Sequence, residues 1–251
     1  MTIARHRERE GVTVGARPPG RPRRTHLTVA LVGVDGAGKS TVSARLTGVD
    51  LPRPVKVIYM GVNLEASSLM LPTTRLLLAV KKARGRRGDL TASPMRDLDH
   101  QPGDATPTGS FKESARLGVW MLEEWLRQLV ATAYSRQGRI VVFDRHFFAD
   151  YYHADVHEGH VARSPARRFH GWMLRRAYPK PDLTIMLDAP ADRLHARKPE
   201  ATVEWLERRR RQYLELAAVL PEFVVLDVDR PLDDVVADVA DLIRSSWKAR
   251  V

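Results

Sequence analysis

The chain has no cysteine among its 251 residues. That excludes a disulfide framework and any zinc site built on thiolates, and it fits a reducing, cytoplasmic setting. Long apolar runs are missing too, since no stretch reaches the roughly 20 residues needed to span a bilayer. The N-terminus is rich in arginine but lacks the apolar stretch of a secretory signal. Asparagine occurs once, at Asn63. The Asn-Lys-x-Asp element by which a GTPase switch reads guanine is therefore absent. No internal repeat is present, and 251 residues suit one larger domain, or a domain with tails.

Positive charge, by contrast, is abundant: the formal net charge is +11 and the sequence pI is near 10.3. Taken alone this points to a polyanionic partner. Its distribution argues otherwise. Residues 1–26 carry seven Arg and two Glu, and "KKARGRRG" at 81–88 carries two Lys and three Arg, which leaves about +1 for everything else. The excess sits in two local segments and not along a folded groove, so neither nucleic acid nor a membrane is the expected partner. Residues 1–26, with their Pro-, Gly- and Arg-rich "GARPPGRPRRT", are expected to form a disordered basic tail. Residues 84–109 combine many breakers with no periodicity and are expected to form a mobile insertion. The domain itself is expected to run over 27–251.

Five apolar, β-branched runs stand out: Leu27–Val34, Val55–Val62, Ile140–Asp144, Leu183–Leu187 and Phe223–Val228. Longer helical patterns separate them, at Phe111–Arg136, Ala166–Tyr178, Thr202–Val219 and Leu232–Lys248. Continuous apolar strands alternating with helices predict an α/β fold with a parallel sheet covered on both faces.

The first run feeds "GVDGAGKST". Gly33, Gly38, Lys39 and Ser40 fit the spacing G-x-x-x-x-G-K-[ST]. Glycine lets a backbone take positive φ and come close to a ligand. The N–H groups of such a turn form an anion nest at a helix start, where the dipole also favours negative charge. Lys39 is placed to reach β- and γ-phosphates, and the Ser40 hydroxyl to ligate Mg²⁺. Asp35, Gly36, Ala37 and Thr41 complete the expected nucleotide cradle.

The third run ends in "FDRH". Asp144 stands at the C-terminal end of a buried strand, the edge that lines the ligand crevice in open α/β sheets. An acid there suits a Walker-B role toward Mg²⁺, and Arg145 beside it can clamp a phosphate with two parallel hydrogen bonds. After "TIMLDAP", Arg193 and Arg197 share one helix face and are candidates for a basic lid over the transferring phosphate. Pro199 is expected to end that helix near Lys198. The run Arg208–Arg211 reads as mainly surface, with one member able to join the lid. His153, His157 and His160, with Asp150, Asp155 and Glu158, read as a surface loop beside the acceptor site and not as a metal centre. Trp120 and Trp125 recur at near-helical spacing with Leu117, a pattern usual for core.

With these elements together, the chain resembles the thymidylate kinase family of P-loop phosphotransferases. "GVDGAGKST" resembles that family's phosphate loop, "FDRH" its Asp-Arg-Tyr/His element, and "LDAPADRLHARK" its fourth strand running into the lid. The likeness covers roughly residues 27–62 and 111–245 by pattern. It implies a P-loop three-layer fold on a five-stranded parallel sheet. It also implies transfer of the ATP γ-phosphate to an acceptor, with ATP and Mg²⁺ required. Asp35 then belongs near metal and phosphates, and Arg145 grips the acceptor's phosphate. A gapless count back from Asp144 puts the family's base-stacking aromatic at Trp120 and its base-reading Arg at Glu124, while Asp150 falls where a neutral amide or hydroxyl is usual. Trp keeps a stacking face, whereas Glu offers acceptors where Arg offers donors.

Three readings stay open at this point: a nucleoside monophosphate kinase; a kinase of a sugar, nucleoside or natural-product hydroxyl on the same frame; and a nucleic-acid-dependent ATPase, against which the charge distribution speaks. The expected partners are ATP and a small acceptor, with a homodimer left open.

Overall fold

The computed structural model describes residues 26–61, 111–156 and 165–251. The expected tail through residue 25, the 84–109 insertion, Asn63, His157, Glu158 and His160 lie outside the described residues. Five strands alternate with helices: β1 (Leu27–Val32), α1 (Lys39–Leu46), β2 (Val55–Tyr59), α2 (Phe111–Arg136), β3 (Ile140–Asp144), α3 (Phe147–Tyr151), a π turn (Tyr152–Val156), α4 (Pro165–Arg176), β4 (Leu183–Asp188), α5 (Ala191–Arg197), α6 (Val203–Leu214), a 3₁₀ turn (Glu215–Ala218), β5 (Phe223–Asp227) and α7 (Leu232–Lys248).

All strand pairs are parallel, in the order β2-β3-β1-β4-β5. Every residue of β3 and β4 is buried. A strand enclosed on both faces can be apolar throughout, and this is why these segments read as continuous runs without alternation. Helices cover both faces, with α1 packed on α7 and α2 on α4. The three-layer α/β architecture expected from the sequence is therefore the one observed.

Boundaries moved where a glycine or a cap intervened. β1 stops at Val32, two residues early, because Gly33 adopts φ 138° and turns the chain out of the sheet. The expected helix from Thr202 starts at Val203, since the Thr202 hydroxyl accepts from Trp205 N–H as an N-cap, and it tightens into the 3₁₀ turn after Leu214. The topology reverses at β1, which has β3 on one side and β4 on the other. The C-terminal ends of those three strands face one crevice.

Candidate active site at the sheet's C-terminal edge

The glycine-rich loop expected to hold phosphate forms the link from β1 to α1. Gly33, Gly36 and Gly38 all have positive φ. At Gly33 a Cβ would collide with the Leu187 carbonyl oxygen at the end of β4, so glycine is required sterically as well as conformationally. At Gly36 it would lie 2.7 Å from the Leu194 carbonyl oxygen of α5. Gly38 caps α1 in the left-handed region with no side chain on the orphan amides, and the first turn holds no acid. That end of α1 is open to an anion. Thr41 lies one residue inside the same turn.

Lys39 is buried, and its Nζ donates to the carbonyls of Gly33 at 2.8 Å and Val34 at 2.7 Å. Burial, helped by the neighbouring Arg145 charge, brings its pKa down to about 8 against the opposing pull of Asp35, Asp150 and Asp144.

The ends of β1 and β3 bring Asp35, Asp144 and Arg145 together. Arg145 Nη2 donates to Asp35 Oδ1 at 2.6 Å. Arg145 is the one non-glycine residue with positive φ among those described, at 69°. Its N–H reaches across to the Leu31 carbonyl at 3.1 Å, which ties this strained residue to the end of β1. Burial would raise the Asp35 carboxyl, but the Arg145 and Lys39 charges outweigh it and hold Asp35 below its ordinary value. Burial would lower Arg145, and the carboxylates of Asp35 and Asp150 reverse that and raise it. Asp144 is buried, and its Oδ1 has no protein partner. An orphaned, buried carboxylate oxygen is the chemistry a divalent cation satisfies, and Ser40, the other residue expected to hold one, follows Lys39 in the first turn of α1.

Arg193 and Arg197 do share a helix face, and both meet Asp229 beyond β5, Arg193 at 3.6 Å and Arg197 at 2.9 Å. Arg197 also donates to the Val228 carbonyl. Lys198 closes α5, and its charge is felt by Asp35.

The arginine run of α6 is less superficial than its sequence suggests. Arg209 is buried and donates to the Asp150 carbonyl at 2.9 Å. Arg210 forks onto Asp188 at the end of β4, at 2.6 and 2.7 Å. Four consecutive arginines spread around a helix, and only the tertiary contacts reveal which of them turn inward.

Of the residues expected to meet the acceptor, Trp120 lies in the core, Asp150 Oδ1 accepts from the Tyr213 hydroxyl at 2.7 Å, and Glu124 is fully enclosed. Arg127, one turn on, donates to the Gly61 carbonyl past β2 and packs over the Phe147 ring. Glu124 Oε2 lies 3.2 Å from His170 Nε2, and Asp155 Oδ2 lies 2.7 Å from His170 Nδ1. Asp155 is thus buried, contrary to the surface-loop expectation, while His153 pairs with Glu215 at 3.3 Å. Sequence reasoning passed over His170, because nothing in "RRFHGW" distinguishes a buried ion pair from a helix surface. No group of three or more His, Asp or Glu able to hold a metal occurs among the described residues. No described helix is long and apolar enough to cross a membrane.

No protein-family model matches the chain. Two curated relatives do. Over 228 residues, 86% of this chain and 95% of the relative, it is 24% identical to a probable thymidylate kinase of Thermococcus gammatolerans. Over 146 residues, 54% of this chain and 66% of the relative, it is 26% identical to a probable thymidylate kinase of Pyrococcus horikoshii. The parallel five-stranded α/β sheet, with its glycine loop at the sheet's C-terminal edge, thus belongs to a chain similar along most of its length to probable thymidylate kinases.

Proposed function

We propose that the chain is an ATP- and Mg²⁺-dependent phosphotransferase of the nucleotide-kinase type, moving the γ-phosphate to a small acceptor in a thymidylate kinase-like crevice. The observation that carries this reading is the uncapped, glycine-turned start of α1 with Lys39 beside it, set against Asp35, Asp144 and Arg145 at the strand ends. An acceptor oxygen attacks the γ-phosphorus, the bond to the β,γ-bridging oxygen breaks, and ADP leaves with the electron pair. The loop amides and Lys39 carry the phosphate charge. Ser40 and Asp144 are the residues that would hold Mg²⁺, which would supply charge neutralisation to the transferring phosphate. Arg193 and Arg197 add positive charge from α5, and Arg145 would grip an acceptor that carries a phosphate.

One observation favours a hydroxyl acceptor without a phosphate: Arg145 is already matched by Asp35. Arg145→Ala separates the two cases. It raises the acceptor KM where the acceptor carries a phosphate and leaves it unchanged where it does not.

The test of the main reading is ADP release with ATP and Mg²⁺ over nucleotides, nucleosides and sugars, comparing the wild type with Lys39→Ala. The variant is expected to lose about 10²–10³-fold in kcat while staying folded, because a charge aimed at the transferring phosphoryl is removed. Near-normal turnover in the folded variant would take the loop out of the mechanism.

A further inference from the structure

The outer side of α2 reverses the usual order of a surface helix. Glu123, Glu124 and Arg127 are turned inward and fully enclosed, while Leu122 and Leu129 are 63% and 64% exposed. A helix on a free surface carries its charges outside and its leucines inside. Contacts on the inner side fix this rotation, since Glu124 meets His170 at 3.2 Å and Trp125 Nε1 donates to Met173 Sδ at 3.0 Å. The leucines cannot turn inward without breaking both.

The same contacts hold α4 against α2, and α4 adds two rings. Phe169 is 55% and Trp172 51% exposed, and the two stack on each other at 5.8 Å. Aromatic side chains carry large apolar areas that folding ordinarily covers. Four large apolar groups exposed on one helix pair make the kind of patch that marks a docking surface.

The charge beside the patch has one sign. The sequence of α4 contains no acid, and its Arg168, Arg175 and Arg176 are exposed. Among the described residues no carboxylate pairs with any of the three. On α2 from Leu117 onward the acids are Glu123 and Glu124, both buried. The near balance of charge outside residues 1–26 and 81–88 is an average over the fold, with the four aspartates of α7 on the other side of the sum. It does not hold on this face.

Three occupants compete for such a face. A second copy in two-fold register would set the patch against itself and bring arginine against arginine. Single-stranded nucleic acid stacks on rings and meets cations, but has no use for exposed leucines. An anionic bilayer takes Trp, Phe and Leu into its interface and meets Arg at its headgroups.

We propose that the outer face of α2 and α4 docks the chain on an anionic membrane surface, with Leu122, Leu129, Phe169 and Trp172 entering the headgroup layer and the exposed arginines of α4 meeting lipid phosphates. No described helix is long and apolar enough to cross the bilayer, so the pair lies on it. This goes beyond phosphoryl transfer and does not depend on it. The arginine-rich residues 1–26 would add attraction of the same sign, so the test keeps them in every variant.

The full chain is sedimented with phosphatidylcholine vesicles, with and without phosphatidylglycerol, while tryptophan emission is recorded. The wild type is expected to partition about tenfold or more better to the anionic vesicles, with a blue shift as Trp172 leaves water. The double variant Phe169→Ser, Trp172→Ser should lose about tenfold or more in partitioning at an unchanged melting temperature, because both rings are exposed. The double variant Arg175→Gln, Arg176→Gln should bind more weakly and with a shallower salt dependence. Trp172→Phe should keep the binding and lose most of the shift. Should the ring variant fold poorly, Leu122→Gln with Leu129→Gln decides by the same loss of partitioning. Equal partitioning of ring variant and wild type would mean that the basic tail alone supplies the attraction, and overturns the proposal. So would vesicle binding that is absent or independent of phosphatidylglycerol. A wild-type dimer that the ring variant turns into a monomer in analytical ultracentrifugation would give the face to a second copy, and oligothymidylate binding lost in the ring variant with vesicle binding kept would give it to nucleic acid; either overturns the membrane assignment.

Discussion

His146 and His170 show how one residue type takes opposite roles inside one fold. His146 is buried between the rings of Phe143 at 5.1 Å and Tyr178 at 5.7 Å, and neither of its nitrogens has a partner. Burial drives its pKa down to about 3. The unfolded chain therefore binds a proton that the folded chain refuses, so stability is lost as pH falls from about 6.5 toward 3. His170, between its two acids, is pushed up to about 9 against the cost of burial. Its contribution is complete below about pH 6.5 and is lost as pH rises through about 9; the shift corresponds to about 3 kcal/mol. Chemical denaturation across pH should separate the two. His146→Phe is expected to flatten the acid limb at little cost near neutrality, because it removes two unsatisfied nitrogens and keeps the ring packing. His170→Gln is expected to flatten the alkaline contribution. Lys39 works against that limb, since its lowered pKa makes stability rise with pH between about 8 and 10.5, so wild type and variant must be compared at each pH. A His146→Phe curve parallel to the wild type below pH 6 would contradict the account.

At the scale of elements, the loop and α5 meet at a seam with no slack. Gly36 has φ 86°, and its missing Cβ would lie 2.7 Å from the Leu194 carbonyl. Gly36→Ala is expected to push α5 and the loop apart and so spread Lys39 from Arg193 and Arg197. Isothermal titration should show ATP–Mg²⁺ affinity falling by about tenfold or more, with a stability loss of about 1–2 kcal/mol from the forced backbone. Unchanged affinity would mean that α5 plays no part in holding the nucleotide. A second seam fastens the end of the chain to the sheet. Arg250 donates to Asp182, whose other oxygen accepts from the Thr28 amide and hydroxyl at the start of β1. Arg250→Ala leaves a buried carboxylate short of its cation and is expected to cost about 3 kcal/mol in urea denaturation, with turnover of the folded fraction preserved. The sequence hinted at neither seam, since each depends on residues far apart in the chain.

At the scale of the whole molecule, the charge excess belongs to residues 1–26 and 81–88 and not to the remainder. A chain beginning at Thr25 is therefore expected to keep both melting temperature and turnover, and a fall of several degrees would show that the removed residues contribute to the fold. Much of the architecture was legible in advance. Ile140–Asp144, Phe111–Arg136 and Leu232–Lys248 fall where the sequence put them. Strand type, helix length and the loop glycines follow from local periodicity and backbone sterics, and such signals lie along the chain itself. The partnerships do not. That Arg209 and Arg210 turn inward while Arg211 stays exposed, that Arg145 closes on Asp35, and that His170 joins Glu124 to Asp155 are matters of helix rotation and packing. A charged side chain carries the same letter whether it meets water or a buried counter-charge. Only folding fixes the dielectric and the neighbour that decide its role, so the sequence by itself determined the strands, the helices and the glycine loop between them, and the tertiary structure decided which charges pair around it.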